Sequence, residues 1–224
     1  MPTGRSWAIR SDDPVTRDWR GCPRPAVRAI GYGRAVGGAP ASHRNPRMSS
    51  ITALLHTEND ALRLGRALET LYPCDNIVVV DHGSSDSTVR VAREYGARVV
   101  SAKVGALPPD YLQSAGVRSV SLPSGNPQSG NPEWILCLDP REALTESLAA
   151  SLFEWKSEAF HAKVRGASAF SVFLREETAE GWVELPAAQT RLVPQSWDLW
   201  KDRYPAHEAS ALALEGELLR FVFP

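Results

Sequence analysis

The chain has 224 residues, 25 Lys and Arg against 26 Asp and Glu, and a formal net charge of −1. That length holds one sizeable α/β domain with or without a tail. The near-neutral balance excludes the strongly basic surface of a general nucleic-acid binder, and no apolar run approaches the roughly 18 residues of a membrane span. Hydrophobic residues make up 43% of the chain, enough for a globular core. Cys22, Cys74 and Cys137 are odd in number and widely spaced, so they read as free thiols in a reducing compartment.

Residues 1–47 contain no Lys, but Arg from Arg5 to Arg47 is scattered among Pro and Gly without helical or strand periodicity. Such a segment buries too little apolar surface to offset its ordering entropy. It reads as a disordered leader or as translated sequence ahead of a start at Met48. A basic arm for anionic lipid or nucleic acid is the functional alternative. The regular pattern begins after Met48.

From Ser49 the pattern is βαβαβ. Ile51 to Leu55 is a short apolar run of the kind buried on both faces of a parallel sheet. Asn59 is placed to cap a helix whose apolar stripe is Ala61, Leu64, Leu68 and Leu71, and Pro73 stops it. Ile77 to Val80 is β-branched throughout and predicts the second strand. It runs into Asp81-His82-Gly83-Ser84-Ser85-Asp86-Ser87-Thr88. Ser85 or Asp86 caps the following helix, Gly96 ends it, and Ala97 to Val100 predicts a third strand. Residues 105–133 are rich in Pro and Gly, with a short helix expected over Gln113 to Val120. Trp134 to Leu138 predicts a strand ending at Asp139, and Ala143 to Lys156 a helix. Ser168 to Arg175 and Gln189 to Val193 predict strands. The pattern from Leu212 to Pro224 is ambiguous.

A buried parallel strand that delivers an acidic, Gly/Ser-rich turn onto a helix N-terminus forms a nucleotide pocket. Asp81 lies at such a strand end, where a carboxylate accepts hydrogen bonds from a base or ribose. Asp86 reads as a cap. The chain has neither GxxxxGK[ST] nor GxGxxG, which lowers the case for an ATPase or a dehydrogenase.

Taken together, these residues resemble family 2 glycosyltransferases. Thr57-Glu58-Asn59-Asp60 is similar to the family's T-x-N-E turn, and Asp81 to Thr88 to its D-x-G-S-x-D-x-T. Trp134 to Asp139 is similar to the strand leading to its D-x-D. Arg191-Leu192 and His207-Glu208 fall in the order of the later R-L and H-E pairs of the branch resembling lipopolysaccharide-core β-glucosyltransferases. The resemblance implies an α/β GT-A-like fold: a central, mostly parallel sheet flanked by helices, with a nucleotide half at about 49–142 and a smaller acceptor half at about 143–224. It implies transfer of a sugar from a nucleotide-sugar donor, UDP-linked in many relatives, to a glycan or lipid-linked acceptor with inversion. It also implies a divalent metal, Mg or Mn, and a role in cell-envelope polysaccharide synthesis. The place implied is the cytoplasm or the inner face of the membrane, with peripheral contact only. Carried over by position, Thr57, Glu58, Asn59, Asp81, Ser84, Arg118, Asp139 and Arg141 would face the nucleotide sugar. His207 or Glu208 would be the base.

The chain departs from the pattern at two places: the 105–133 loop, where Arg118-Ser119 lacks the Asn of the family's Arg/Lys-Asn pair, and the D-x-D. The second carboxylate of the D-x-D is Arg141 in Asp139-Pro140-Arg141-Glu142. A guanidinium has no lone pair for a metal. Three outcomes are open: a catalytically impaired nucleotide-sugar or glycan-binding relic, a metal held by Asp139 and Glu142, or direct pairing of Arg141 with the diphosphate.

Overall fold

The computed structural model describes residues 49–117, 133–164 and 166–223. The expectations for the leader and for Arg118 lie outside those residues.

Ser50–Thr57 (β1), Asn76–Asp81 (β2) and Arg98–Ser101 (β3) alternate with Ala61–Glu69 (α1) and Thr88–Glu94 (α2), and Pro108–Ser114 (α3) follows. After the gap come Glu133–Leu138 (β4), Glu142–Leu144 (β5), Glu146–Trp155 (α4), Glu158–Lys163 (α5), Phe170–Thr178 (β6), Gly181–Glu184 (β7) and Gln189–Pro194 (β8). Trp200–Lys201 (β9) and Tyr204–Pro205 (β10) form a small ribbon, and Leu212–Arg220 is β11. The described strands build one mixed sheet in the order β3-β2-β1-β4-β8-β6-β11-β5, with β7 beside β6. The fold is α/β and Rossmann-like. Its β3-β2-β1-β4 portion is wholly parallel. Beyond β4 the pairings are antiparallel, except for β6 with β11.

Helices cover both faces of the parallel portion, so β1 alternates between two cores. Ile51, Ala53 and Leu55 pack with Leu64, Leu68 and Ala92 of α1 and α2. Leu54 packs with Val78, Val80, Ile135 and the α3 residues Tyr111 and Leu112. Burial on both faces is the reason the strand reads as continuous apolar sequence.

Four local expectations are corrected. The cap position of α1 is Asp60, while Asn59 adopts a φ of 56° and turns its side chain toward the next loop. Ser87 occupies the cap position of α2. The helix expected over Gln113 to Val120 lies earlier, at α3. Pro108 presets its first turn, Asp110 accepts from Leu107 N at 2.8 Å, and Gly116 follows its end with a φ of 68°. The helix expected from Ala143 starts at Glu146, because Glu142 to Leu144 pair with β11 and Thr145 Oγ1 then caps by accepting from Leu148 N. The ambiguous tail is β11, whose register against β6 shifts between Ala213 and Glu217. There Gly216 lies so close to the α4 backbone that an added Cβ would overlap Ser147 and Leu148. No helix among the described residues is long and apolar enough to cross a membrane.

Candidate functional site

β1 lies between β2 and β4, with Thr57 opposite Asp81 and Leu55 opposite Leu138. Because all three strands run the same way, the Thr57 turn, Asp81 and Asp139 emerge at one carboxyl edge. Two strand spacings put the backbones of Asp81 and Asp139 about 10 Å apart, on either side of β1. Ligands of open α/β sheets bind at this edge.

The two turns on one side of this edge are fastened to each other. Asp60 Oδ2 accepts from Thr57 Oγ1 and from Glu58 N, each at 3.0 Å. Asn59 N donates to Ser84 Oγ at 2.9 Å, and Asn59 Oδ1 accepts from Ser85 N at 2.8 Å. Asp86 accepts from Ala61 N at 3.2 Å and from Thr88 N at 2.9 Å, and its contact with the Thr88 hydroxyl is shorter still. It thus joins the N-terminal ends of α1 and α2. The Thr88 hydroxyl is the main reason its pKa lies below the ordinary value. Asp81 curls over its own turn, accepting from Ser84 N at 3.2 and 3.3 Å and from Gly83 N at 3.3 Å. Gly83 permits that curl with a φ of 91°.

Behind these turns His56 Nδ1 lies 3.0 Å from His82 Nε2, and the Tyr111 ring stands edge-on to His56. Burial, then the charges of His82 and Arg203, push the His56 pKa down to about 3. Burial and Arg203 also lower His82. Both rings are therefore neutral near pH 7, and one N–H serves the contact between them. His56 Nε2 has no hydrogen-bond partner among the described residues. Sequence reasoning assigned His56 no more than packing and did not foresee this pair or Arg203. The hint available was a His in each of the two turn segments.

On the β4 side Asp139 and Arg141 form a forked ion pair. Asp139 Oδ1 accepts from Arg141 N and Nε, each at 3.0 Å, and Oδ2 accepts from Arg141 Nη2 at 3.3 Å. Burial would raise the Asp139 pKa, but the hydrogen bonds and charge of Arg141, together with Arg220, outweigh it and hold that pKa below the ordinary value. The Arg141 pKa is raised by the hydrogen bond and charge of Asp139, with lesser contributions from Asp60 and Tyr204.

Glu142 lies beneath that pair and is 0% exposed. Its Oε1 accepts from Arg191 Nη2 at 2.8 Å and from Arg220 Nη2 at 2.7 Å, while Oε2 accepts from Asp139 N at 2.9 Å. Arg191 is 2% exposed, donates also to Cys137 O and Gln189 Oε1, and stacks over the Tyr204 ring at 4.6 Å. Burial, then the charges of Glu142 and Asp139, push the Tyr204 pKa up to about 12. An open cleft lined by Lys201, Asp202, Arg203, Tyr204 and Pro205 adjoins this cluster.

His207 is exposed. Glu208 N donates to Thr190 Oγ1 at 2.9 Å, which ties this turn to the strand carrying Arg191. The Glu208 carboxylate accepts from Ser210 N and Oγ, which lowers its pKa and makes it a weaker base. Trp197 and Trp200 direct their ring N–H groups to local carbonyls and pack against the core beside Tyr204.

The residues present do not fit a divalent cation, which in a nucleotide site is held by one or two free carboxylates together with substrate phosphates and water. The Asp139 oxygens hold a guanidinium. Glu142, expected as an alternative metal carboxylate, is instead fully enclosed by Arg191, Arg220 and Asp139 N. Among the described residues no three His, Cys, Asp or Glu gather as a metal group.

No protein-family profile matches the chain. Over 54 residues it is 39% identical to an uncharacterized glycosyltransferase of Rickettsia felis. That match covers 24% of this chain and 19% of the relative, so the shared segment is a small part of either protein. Among solved structures, TarS of S. aureus overlaps 77% of this chain and 37% of its own length at 13% identity and a TM-score of 0.43. Glucosyl-3-phosphoglycerate synthase of Mycobacterium tuberculosis, in a complex with Mn2+ and UDP, overlaps 57% of this chain and 43% of its own length at 18% identity and a TM-score of 0.33. Overlaps this loose carry no residue roles across. The chain is similar, over one short segment, to a glycosyltransferase.

Proposed function

We propose that the carboxyl edge of β1, β2 and β4 binds a nucleotide sugar, UDP-linked by preference, and that the chain transfers the sugar with inversion to a glycan or lipid-linked acceptor. The observation that carries this reading is the convergence of the Thr57 turn, Asp81 and Asp139 on one edge of three adjacent parallel strands. The short match to a glycosyltransferase supports it. In this reading Thr57 to Asn59, Asp81 and Ser84 face the nucleoside, and Asp139 and Arg141 face the diphosphate. The anomeric C–O bond breaks with its electron pair retained by the β-phosphate oxygen. The acceptor oxygen bonds to the opposite face of that carbon and gives its proton to a base. Of the two candidates His207 is the base in this reading, because the Glu208 carboxylate is already held by Ser210. The lipopolysaccharide-core branch, the envelope role and a cytoplasmic place, with peripheral contact to the inner membrane face, belong to the same proposal.

A second reading is favoured by Arg141, which closes over the carboxylate that the motif would present. Here the chain binds nucleotide sugar or glycan without turning it over. A thermal-shift panel of nucleoside diphosphates tests the site. UDP should stabilise the wild type and lose that effect in Asp81→Asn, a change that keeps an acceptor for Gly83 N and Ser84 N while removing the charge. Equal protection of both proteins would refute the nucleoside assignment. Release of UDP from UDP-sugars in the presence of acceptor then separates the enzyme from the binding relic.

A further inference from the structure

We propose that Arg141 is the built-in counter-cation of this site, so that the diphosphate of the donor is bound by a guanidinium and its binding is independent of divalent metal. This rests on the nucleotide-sugar reading above.

Three observations carry it. First, Asp139 spends both oxygens on Arg141, and that pairing uses only the Nε–H and one Nη2–H. A guanidinium has five N–H groups. The remaining three have no partner among the described residues, and the Arg141 side chain is 45% exposed. The inner edge of the fork is anchored while the outer edge is open to an anion. Second, the carboxylates next to it already face guanidiniums. Asp139 and Glu142 are met by Arg141, Arg191 and Arg220. Glu176 pairs with Arg220, and Asp60 lies 3.9 Å from Arg63. Third, the anchor is itself anchored. Glu142 Oε2 fixes Asp139 N, and Phe221 N donates to Arg141 O at 2.9 Å, so the guanidinium projects from a turn held on both sides. A preorganised fork matches two phosphate oxygens as a metal would, and its charge requires no deprotonated ligand set.

The experiment is calorimetric binding of UDP and of uridine to the full chain, with excess EDTA and with Mn2+, for the wild type, Arg141→Ala, Arg141→Lys and Arg141→Asp. Because Arg141 is half exposed, its truncation leaves no buried void, and the melting temperature of each variant confirms folding. The wild type should bind UDP equally in EDTA and in Mn2+. Arg141→Ala should weaken UDP in EDTA by about tenfold to a hundredfold while leaving uridine unchanged. Arg141→Lys should restore part of the loss, and Arg141→Asp should bind UDP only with Mn2+. A wild type that tightens about tenfold or more on UDP with Mn2+ overturns the inference, as does an Arg141→Ala that holds UDP unchanged in EDTA. Uridine binding with no advantage for UDP overturns the inference alone. Failure of both ligands to bind overturns the nucleotide-sugar reading as well.

Discussion

Glu142→Gln is isosteric and removes a single charge, yet it strikes the part of the molecule that holds the candidate site together. Glu142 Oε1 receives guanidinium N–H groups from Arg191 and Arg220, and Oε2 receives Asp139 N. An amide has one acceptor to offer where the carboxylate has two. With its oxygen toward the guanidiniums, its NH2 faces Asp139 N, donor against donor; turned over, the NH2 faces two cations. In either orientation Arg191, 2% exposed, keeps its charge without a counter-ion. Breaking one side of a buried pair costs about 3–5 kcal/mol. For a chain of this size that is a fall in melting temperature of roughly 6–20 °C. Urea unfolding measures it. A double variant, Glu142→Gln with Arg191→Met, should lose less than the sum of the two single changes, because the stranded charge is gone. A loss below about 1 kcal/mol for Glu142→Gln, or strict additivity in the cycle, would refute the claim that this buried triad supports the Asp139 turn.

Two further perturbations probe other parts of the account. His56 is held neutral in the fold with a pKa pushed down to about 3, against an ordinary 6.5. Between those values the unfolded chain binds the extra proton, so its contribution to stability is full above about pH 6.5 and is lost as pH falls toward 3. His56→Phe should flatten that part of the pH–stability curve in urea melts, and an unchanged acid slope would refute the assignment. Gly216→Ala places a methyl group against the backbone of Ser147 and Leu148 at a φ of 88°. It should destabilise by about 2–4 kcal/mol, overpacking and left-handed strain together, and a neutral result in the same melts would show that the β11 bulge yields freely.

The parallel portion of the fold was legible because its signals are local. The apolar runs of β1 and β2, the stripe Leu64, Leu68 and Leu71 of α1, and Gly96 after α2 each lie within a few residues of the structure they specify. The placement of Asp81 and Asp139 at one sheet edge was legible for the same reason, since strand ends in a parallel sheet share an edge. What was not legible came from distant partners. Glu142 looks like a ligand in sequence, but its environment is set by Arg191 and Arg220, 49 and 78 residues away. Ala143 and Leu144 continue an apolar pattern into α4, and only their pairing with Leu219 and Leu218 makes them a strand. β11 hid its own period because the shift at Ala213 to Glu217 breaks the alternation. The His56–His82 contact joins turns 26 residues apart, and Asn59, whose residue type suggested a cap, serves instead to fasten those turns.

Hydrogen exchange read by mass spectrometry, with and without saturating UDP in EDTA, is the most direct measurement of where a ligand binds. Protection should concentrate in residues 57–60, 81–88 and 139–142, the three turns at the carboxyl edge, and leave β7 unchanged. Protection elsewhere with none in these turns would contradict the account.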